Sequence, residues 1–215
     1  MSIKMKLPIF QIKSLADFDE RDVEESLRWF PKQESERVGR YKNLSRRIET
    51  AAAYSLLVEN IRSNGLLQEL PLIAYAESGK PYLENYPGLH FNLSHCRHYV
   101  AVAMYDKPVG VDIECRRKVT QPLIRRVCSE TEQALVAQAD DPDMEFLRLW
   151  TRKEAYLKYI GTGIVEPLRD VPPVVSFQLS VVSGQRSAVS GRESANYKLE
   201  THPLPEGDGW ISICY

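Results

Sequence analysis

The stretch KPVGVDIECRRK, residues 107–118, decides the fold. Val109, Val111 and Ile113 alternate with Asp112 and Glu114, the period-two pattern of a β-strand with one apolar face. Its other face carries two carboxylates, two residues apart. Two readings of that face are open. It meets water, as half-exposed strands do. Or it holds a hard cation: two carboxylates on rigid backbone, with room for a third ligand and a phosphate, suit Mg²⁺.

Outward from this strand, short apolar runs alternate with turn residues. LHFNLSHCRHYVAVAMY (89–105) reads as strands, with Val100, Val102 and Met104 on one face. LPLIAYAESGKPYL (70–83) reads as short strands, SGK and DKP are turns, and LPIFQIK (7–13) is a first strand. Helical patterns cover 14–30, with Ser14 as cap and Pro31 as terminator. Another runs from about Ser45 to Ser63, where Gly65 supplies a left-handed cap. Its Ala51–Ala53 run predicts close packing against a neighbour. Further helices are expected from Pro122 to Ala139, broken by DDPD, and from Met144 to Ile160, ended by GTG. VVSFQLSVVSGQ (174–185), ANYKLETH (195–202) and GWISICY (209–215) alternate like antiparallel strands. Without βαβ regularity the fold class is α+β with antiparallel sheets, jointed near residue 106.

The chain has 215 residues, is 43% hydrophobic and 27% charged, and has a formal net charge of −1. No global field is available to hold nucleic acid or a membrane, so neither is expected as a partner. The N-terminus has no apolar run long enough for a signal peptide, and no later stretch could span a bilayer. Cys96, Cys115, Cys128 and Cys214 form no CxxC pair, so reduced thiols in a cytoplasmic protein are expected.

The helix EFLRLWTRKEAYLKYIGTG (145–163) sharpens the question. At about 100° per residue, Phe146, Leu149, Trp150, Tyr156, Leu157 and Ile160 gather on one arc. Lys153 and Glu154 fall inside it, while Arg148, Arg152 and Tyr159 take the opposite side. Charge inside an apolar arc must be paired, metal-bound or turned to a cleft. The plainer alternative is a Glu154–Lys158 pair at i,i+4 with Lys153 snorkelling outward. FNLSHC (91–96) sets Ser94 and His95 at a strand end. Adjacent residues rarely aim at each other, so these are phosphate donors rather than a hydrolase dyad. Lys80 adds a point charge on a turn, or is an ordinary surface lysine. No GxxxxGK[ST] is present, so this is not a P-loop.

GKPYL (79–83), FNLSHC (91–96), VGVDIE (109–114), SETE (129–132) and LWTRKEAYLKYIGTG (149–163) occur in the order and at about the spacing of the 4'-phosphopantetheinyl transferases. The chain resembles their long, Sfp-type branch. That resemblance implies a monomer of two similar α+β halves, each an antiparallel sheet packed with a long helix and related by a pseudo-twofold axis. Residues 1–105 would form the coenzyme A nucleotide side, and 106–215 the metal and carrier-protein side. It implies transfer of the phosphopantetheine arm of coenzyme A to a serine of an apo acyl or peptidyl carrier protein, with release of adenosine 3',5'-bisphosphate. Asp112, Glu114 and Glu154 match the Mg²⁺ ligands, with Glu154 also the base. Lys158, His95, Ser94 and Lys80 match phosphate or pantetheine contacts. Arg37 and Thr50 fall at nucleotide-side positions, and Glu132 matches a recurrent acid. Glu34 departs from the pattern, standing where a second basic residue is usual. Lys32, Arg40, Arg46 or Arg47 are the substitutes. Two alternatives remain: a non-catalytic module of the same fold, binding coenzyme A or carrier protein, and a Mg²⁺-dependent hydrolase of coenzyme A-like diphosphates.

Overall fold

Strand alternation sorts the core into layers. The computed structural model describes residues 4–16, 18–163, 167–171 and 197–215. Strands β1 (Ile9–Ser14), β4 (His90–His95) and β5 (Tyr99–Tyr105) form an antiparallel sheet in the order β1-β5-β4. Strands β6 (Gly110–Cys115), β7 (Leu199–Pro203) and β8 (Gly209–Cys214) form a second, in the order β6-β8-β7. A hairpin of β2 (Ile73–Tyr75) and β3 (Pro81–Leu83) stands apart.

One face of β5, through Val100, Val102 and Met104, packs with α3 (Leu44–Ser63). The other face, through Tyr99, Ala101, Ala103 and Tyr105, packs on Val111, Ile113, Ile211 and Ile213 of the second sheet. Helix α6 (Pro142–Ile160) covers the far side of that sheet. The order is therefore helix, sheet, sheet, helix. Each sheet is antiparallel and carries one long helix, so the α+β expectation holds.

The two sheets meet along β4 and β6 without a backbone ladder. Val111 N–H donates to Asn92 Oδ1 at 2.9 Å, and Ile113 N–H to Ser94 Oγ at 3.3 Å. Buried amides thus find side-chain acceptors where no strand partner exists.

Several expectations need correction. Ser14 does not cap a helix: it is the last residue of β1. Helix α1 (Glu20–Trp29) starts at Asp19, whose side chain accepts from the Arg21 and Asp22 amides while Asp22 bonds back, a reciprocal capping box. Pro31 ends that helix but also opens α2 (Lys32–Gly39), which the sequence reading missed. The 122–139 segment is two helices, α4 (Gln121–Val127) and α5 (Glu130–Gln138), because Ser129 and Glu132 form a second capping box. Cys96 and Cys115 are not free thiols. The ends of β4 and β6 bring their Cα atoms to 5.8 Å, and a disulfide joins them. Cys128 and Cys214 remain free and buried. The strand expected at 174–185 lies outside the described residues.

No helix among the described residues is long and apolar enough to cross a membrane.

Candidate active site

Gly110 lets α6 approach β6. A Cβ at Gly110 would overlap the Ala155 carbonyl oxygen and the Tyr159 amide nitrogen. Backbone contact at that point sets the next two residues of the same strand face, Asp112 and Glu114, against the turns of α6 that carry Trp150, Glu154 and Lys158. The carboxylate face of the opening stretch is therefore a covered face, not a solvated one.

Asp112 is 6% exposed. Its Oδ1 accepts from Lys158 Nζ at 2.7 Å and from Ser94 Oγ at 2.8 Å. Lys158 Nζ also reaches Ser94 Oγ at 3.0 Å and the Val111 carbonyl at 3.1 Å. Those three acceptors match the three protons of an ammonium. None is left for Glu154, so the plain i,i+4 pair is not what holds that residue. Glu154 is 9% exposed, and its Oε1 and the Oδ2 of Asp112 are buried with no hydrogen-bond partner. Burial and, next, the charge of Asp112 push the Glu154 carboxyl up to about 7, against the opposing pull of Lys158. Glu114 is also raised, first by burial and then by Asp112, while Arg117 and Trp150 donate to it. Arg117 Nε stands 3.5 Å from its Oε2.

Lys153 does not snorkel. It is 2% exposed, and its Nζ donates to Glu132 Oε2 at 2.8 Å, to the Val127 carbonyl at 2.9 Å and to the Leu168 carbonyl at 3.1 Å. This gives Glu132 its place: it closes the α5 capping box and holds the lysine beside Glu154 in sequence. Lys153 thus ties α6 to α4, to α5 and to the turn at Leu168–Asp170, and so fixes the rotation that turns Glu154 toward Asp112. Arg152, placed on the exposed side by the arc, is 5% exposed and donates to Thr201 Oγ1 at 2.8 Å. The second sheet wraps further round α6 than a single apolar arc allows.

Ser94 and His95 point to opposite faces of β4. Ser94 joins the Asp112 network. His95 turns to α3, where Arg46 Nη1 lies 2.7 Å from its Nε2 and Glu49 Oε2 lies 3.4 Å from its Nδ1. Burial holds the imidazole below its usual range. Thr50 is one turn on, its hydroxyl bonded to the Arg46 carbonyl at 2.7 Å. Sequence reasoning missed Glu49 altogether; its position one helical turn from Arg46 and Ser45 was the only signal.

Lys80 donates to the carbonyls of Lys158 and Tyr159, at 2.7 and 3.0 Å, and so joins the hairpin to the C-terminal end of α6. Burial lowers its pKa. Lys80 and Lys158 line one cleft of about 240 Å³ with Asn92, Leu93 and Gly161. Arg37 is farther off, gripped by the fully buried Glu34 at 2.6 Å and touching Tyr75 OH at 3.4 Å. Glu34 also accepts from the Ile73 amide at 3.3 Å. The acid that broke the expected basic pattern therefore anchors the hairpin. A larger cleft of about 770 Å³, under Lys4–Leu7, contains none of the expected site residues.

The donor set suits a hard cation through the orphaned oxygens of Asp112 and Glu154. Glu114 borders them but is engaged by Arg117, and no three His, Cys, Asp or Glu side chains among the described residues converge as a ready metal cluster. Chemically, the seam between the two sheets offers a raised carboxyl at Glu154, a lysine at Lys158 and two buried acceptor oxygens without partners.

Residues 108–214 match the 4'-phosphopantetheinyl transferase superfamily. A 4'-phosphopantetheinyl transferase of Bacillus subtilis is 39% identical over 95 residues, covering 43% of this chain and 42% of that protein. The psf-1 transferase of Bacillus pumilus is 40% identical over 89 residues, covering 40% and 38%. AcpT of Salmonella typhimurium is 36% identical over 113 residues, covering 50% and 58%. The aligned part of the chain thus spans about two fifths of the Bacillus relatives and somewhat over half of AcpT.

Proposed function

We propose that this chain, a member of the 4'-phosphopantetheinyl transferase superfamily through residues 108–214, transfers the phosphopantetheine arm of coenzyme A to a serine of an apo carrier protein. The observation that carries the reading is a pair of buried, unpartnered carboxylate oxygens, Asp112 Oδ2 and Glu154 Oε1, next to the Lys158 ammonium that holds Asp112 Oδ1 at 2.7 Å. An ordinary helix glutamate gains nothing from such a place. A carboxylate that holds a cation or takes a proton does.

The carrier serine oxygen attacks the β-phosphorus, the bond to the bridging oxygen breaks, and adenosine 3',5'-bisphosphate leaves. Glu154 takes the serine proton. Lys158, already 2.7 Å from Asp112, puts a positive charge next to the phosphate oxygens as charge builds there. Ser94 orients Asp112 and lies close enough to turn its hydroxyl toward a phosphate. Lys80 and His95 add donors, and Thr50 and Arg37 lie on the nucleotide side. Asp112, Glu154 and, after release from Arg117, Glu114 are the residues that would hold Mg²⁺. Bound there, the ion would neutralise the pyrophosphate and orient it.

We further read residues 1–105 and 106–215 as two halves about a pseudo-twofold axis, acting as a monomer. In support, Ser94 of the first sheet bonds to Asp112 of the second, and Lys158 of α6 reaches both within this one chain. Incubation with Mg²⁺, coenzyme A and apo carrier tests the function by intact-protein mass spectrometry. A covalent gain on the carrier is expected. Cleavage of coenzyme A without a carrier would point to a hydrolase, and binding without reaction to a non-catalytic module.

A further inference from the structure

We infer that Thr151 and Ser212 are positioning residues for the transfer. Their hydroxyls belong to a buried chain, headed by Arg152 and Thr201, that sets α6 where Glu154 meets Asp112. This goes beyond the transferase reading and rests on it.

The first support is where these polar groups lie. Asp112 stands opposite Ser212, and Ser212 opposite Thr201, so the three share one row across β6, β8 and β7 on the face under α6. On α6, Thr151 precedes Glu154 by three residues and Lys158 by seven, which puts all three on the side that meets the sheet. Thr151 and Ser212 are fully buried. A hydroxyl so placed is costly unless it is bonded.

The second support is direction. Thr151 Oγ1 donates its one proton to the Arg148 carbonyl at 3.1 Å, which leaves it the acceptor for Ser212 Oγ, 2.9 Å away. Ser212, its proton so used, accepts from Thr201 Oγ1 at 3.0 Å, and Thr201 accepts from Arg152 Nη1 at 2.8 Å. A guanidinium at the head can only donate and a carbonyl at the foot can only accept, so the chain runs one way.

The third support is what such a chain fixes that packing does not. Apolar contact is non-directional and tolerates a slide of the helix. An O–H···O bond holds its distance to about 2.5–3.0 Å. Lys153 anchors α6 from the side of α4 and α5, through Glu132 and the Val127 carbonyl. The hydroxyl chain anchors it from the side of β7 and β8. Glu154 stands between the two anchors, and its orphaned Oε1 and the Oδ2 of Asp112 lie on opposite walls that they hold in line. A cation such as Mg²⁺, which takes donors at about 2.1 Å in near-octahedral order, is sensitive to a small shift of either wall.

Transfer kinetics and melting curves on the full chain separate positioning from stability alone. Thr151→Val keeps the shape and strands the Ser212 hydroxyl. Its kcat should fall about 10–100-fold with KM for coenzyme A within about twofold of wild type, the pattern of a displaced reacting group. Thr151→Ser keeps the hydroxyl and should restore kcat. Thr151→Val with Ser212→Ala removes both partners, so its melting point should return toward wild type while kcat stays low. Val23→Ala, in the core under α1, should lower the melting point with kcat kept. Wild-type kcat in the double variant, or a matching loss of kcat in Val23→Ala, would overturn the proposal while the transferase reading stands. Mn²⁺ binding, read by electron paramagnetic resonance, needs no turnover: Thr151→Val should weaken it about 10-fold and Thr151→Ser should not. That selectivity in a protein whose wild type transfers nothing would keep the positioning role and remove the reading above it. Equal Mn²⁺ affinity in such a protein and both variants, or no Mn²⁺ binding at all, would overturn both.

Discussion

Glu154→Gln should make the metal-free protein more stable and the enzyme nearly inactive. The substitution keeps the side-chain volume and removes both charge and basicity. The folded carboxyl sits at about 7 against 4.5 for a free one, because burial and Asp112 both penalise the charged form. A raised acid contributes stability that is fully present below pH 4.5 and is lost as pH rises through about 7. The gap of roughly 2.5 pH units, at about 1.36 kcal/mol each, sets a ceiling of about 3 kcal/mol on the penalty above pH 7. Glutamine escapes that penalty. In chelator at pH 8 the variant should therefore melt higher, by about 2–4 °C per kcal/mol for a chain of this size. Below pH 4.5 the two proteins should melt alike. Single-turnover transfer should fall by about 10²–10⁴-fold, the loss expected for a general base. Near-normal turnover with a slightly lowered melting point would refute the reasoning, leaving Glu154 as a helix-surface partner of Lys158 worth about 0.2–0.5 kcal/mol.

Asp112→Ala should abolish transfer and its Mg²⁺ dependence while the protein stays folded; unchanged activity at limiting Mg²⁺ would remove Asp112 from the site. Glu132→Gln should cost about 3–5 kcal/mol in denaturant melts by leaving the Lys153 ammonium buried and unmatched, whereas Glu132→Leu with Lys153→Met should recover most of that loss. Gly110→Ala should cost about 1–3 kcal/mol and depress transfer together, because its methyl would push α6 off β6. A fully active, fully stable Gly110→Ala protein would mean the helix does not need that contact.

What was legible in the sequence was whatever follows from local period. The apolar and carboxylate faces of β6, the end of α6 at Gly161 and the misplaced Glu154 came from alternation, a glycine stop and the helical arc; the start of α6 lies at Pro142, inside the DDPD run read as a break, where Asp141 caps it. What was not legible depended on partners distant in sequence. Lys153 reads as a snorkelling lysine until α4, α5 and the Leu168 carbonyl close over it. Arg152 reads as solvent-facing until β7 supplies Thr201. Cys96 and Cys115 are 19 residues apart and show no spacing motif; only the side-by-side ends of β4 and β6 bring them together. Helix α2 was missed because Pro31 was taken as a stop alone, though proline also tolerates a helix entry, where its missing N–H is not needed. The pairing of His95 with Arg46 and Glu49 was not legible, because nothing local says which face of α3 meets β4.

The seam between the sheets has one more consequence. A backbone ladder is nearly indifferent to sequence: any two strands can slide by two residues and find equivalent bonds. The seam at β4 and β6 instead depends on two short side chains, Asn92 and Ser94, that read the amides of Val111 and Ile113. Sliding by even one residue would turn both away. The alignment of the two sheets is therefore encoded at two positions, one of which also orients Asp112, so the same serine sets how the sheets meet and where the Asp112 charge sits. Substitution at that one site can retune both, and a lineage could not drift in one without disturbing the other.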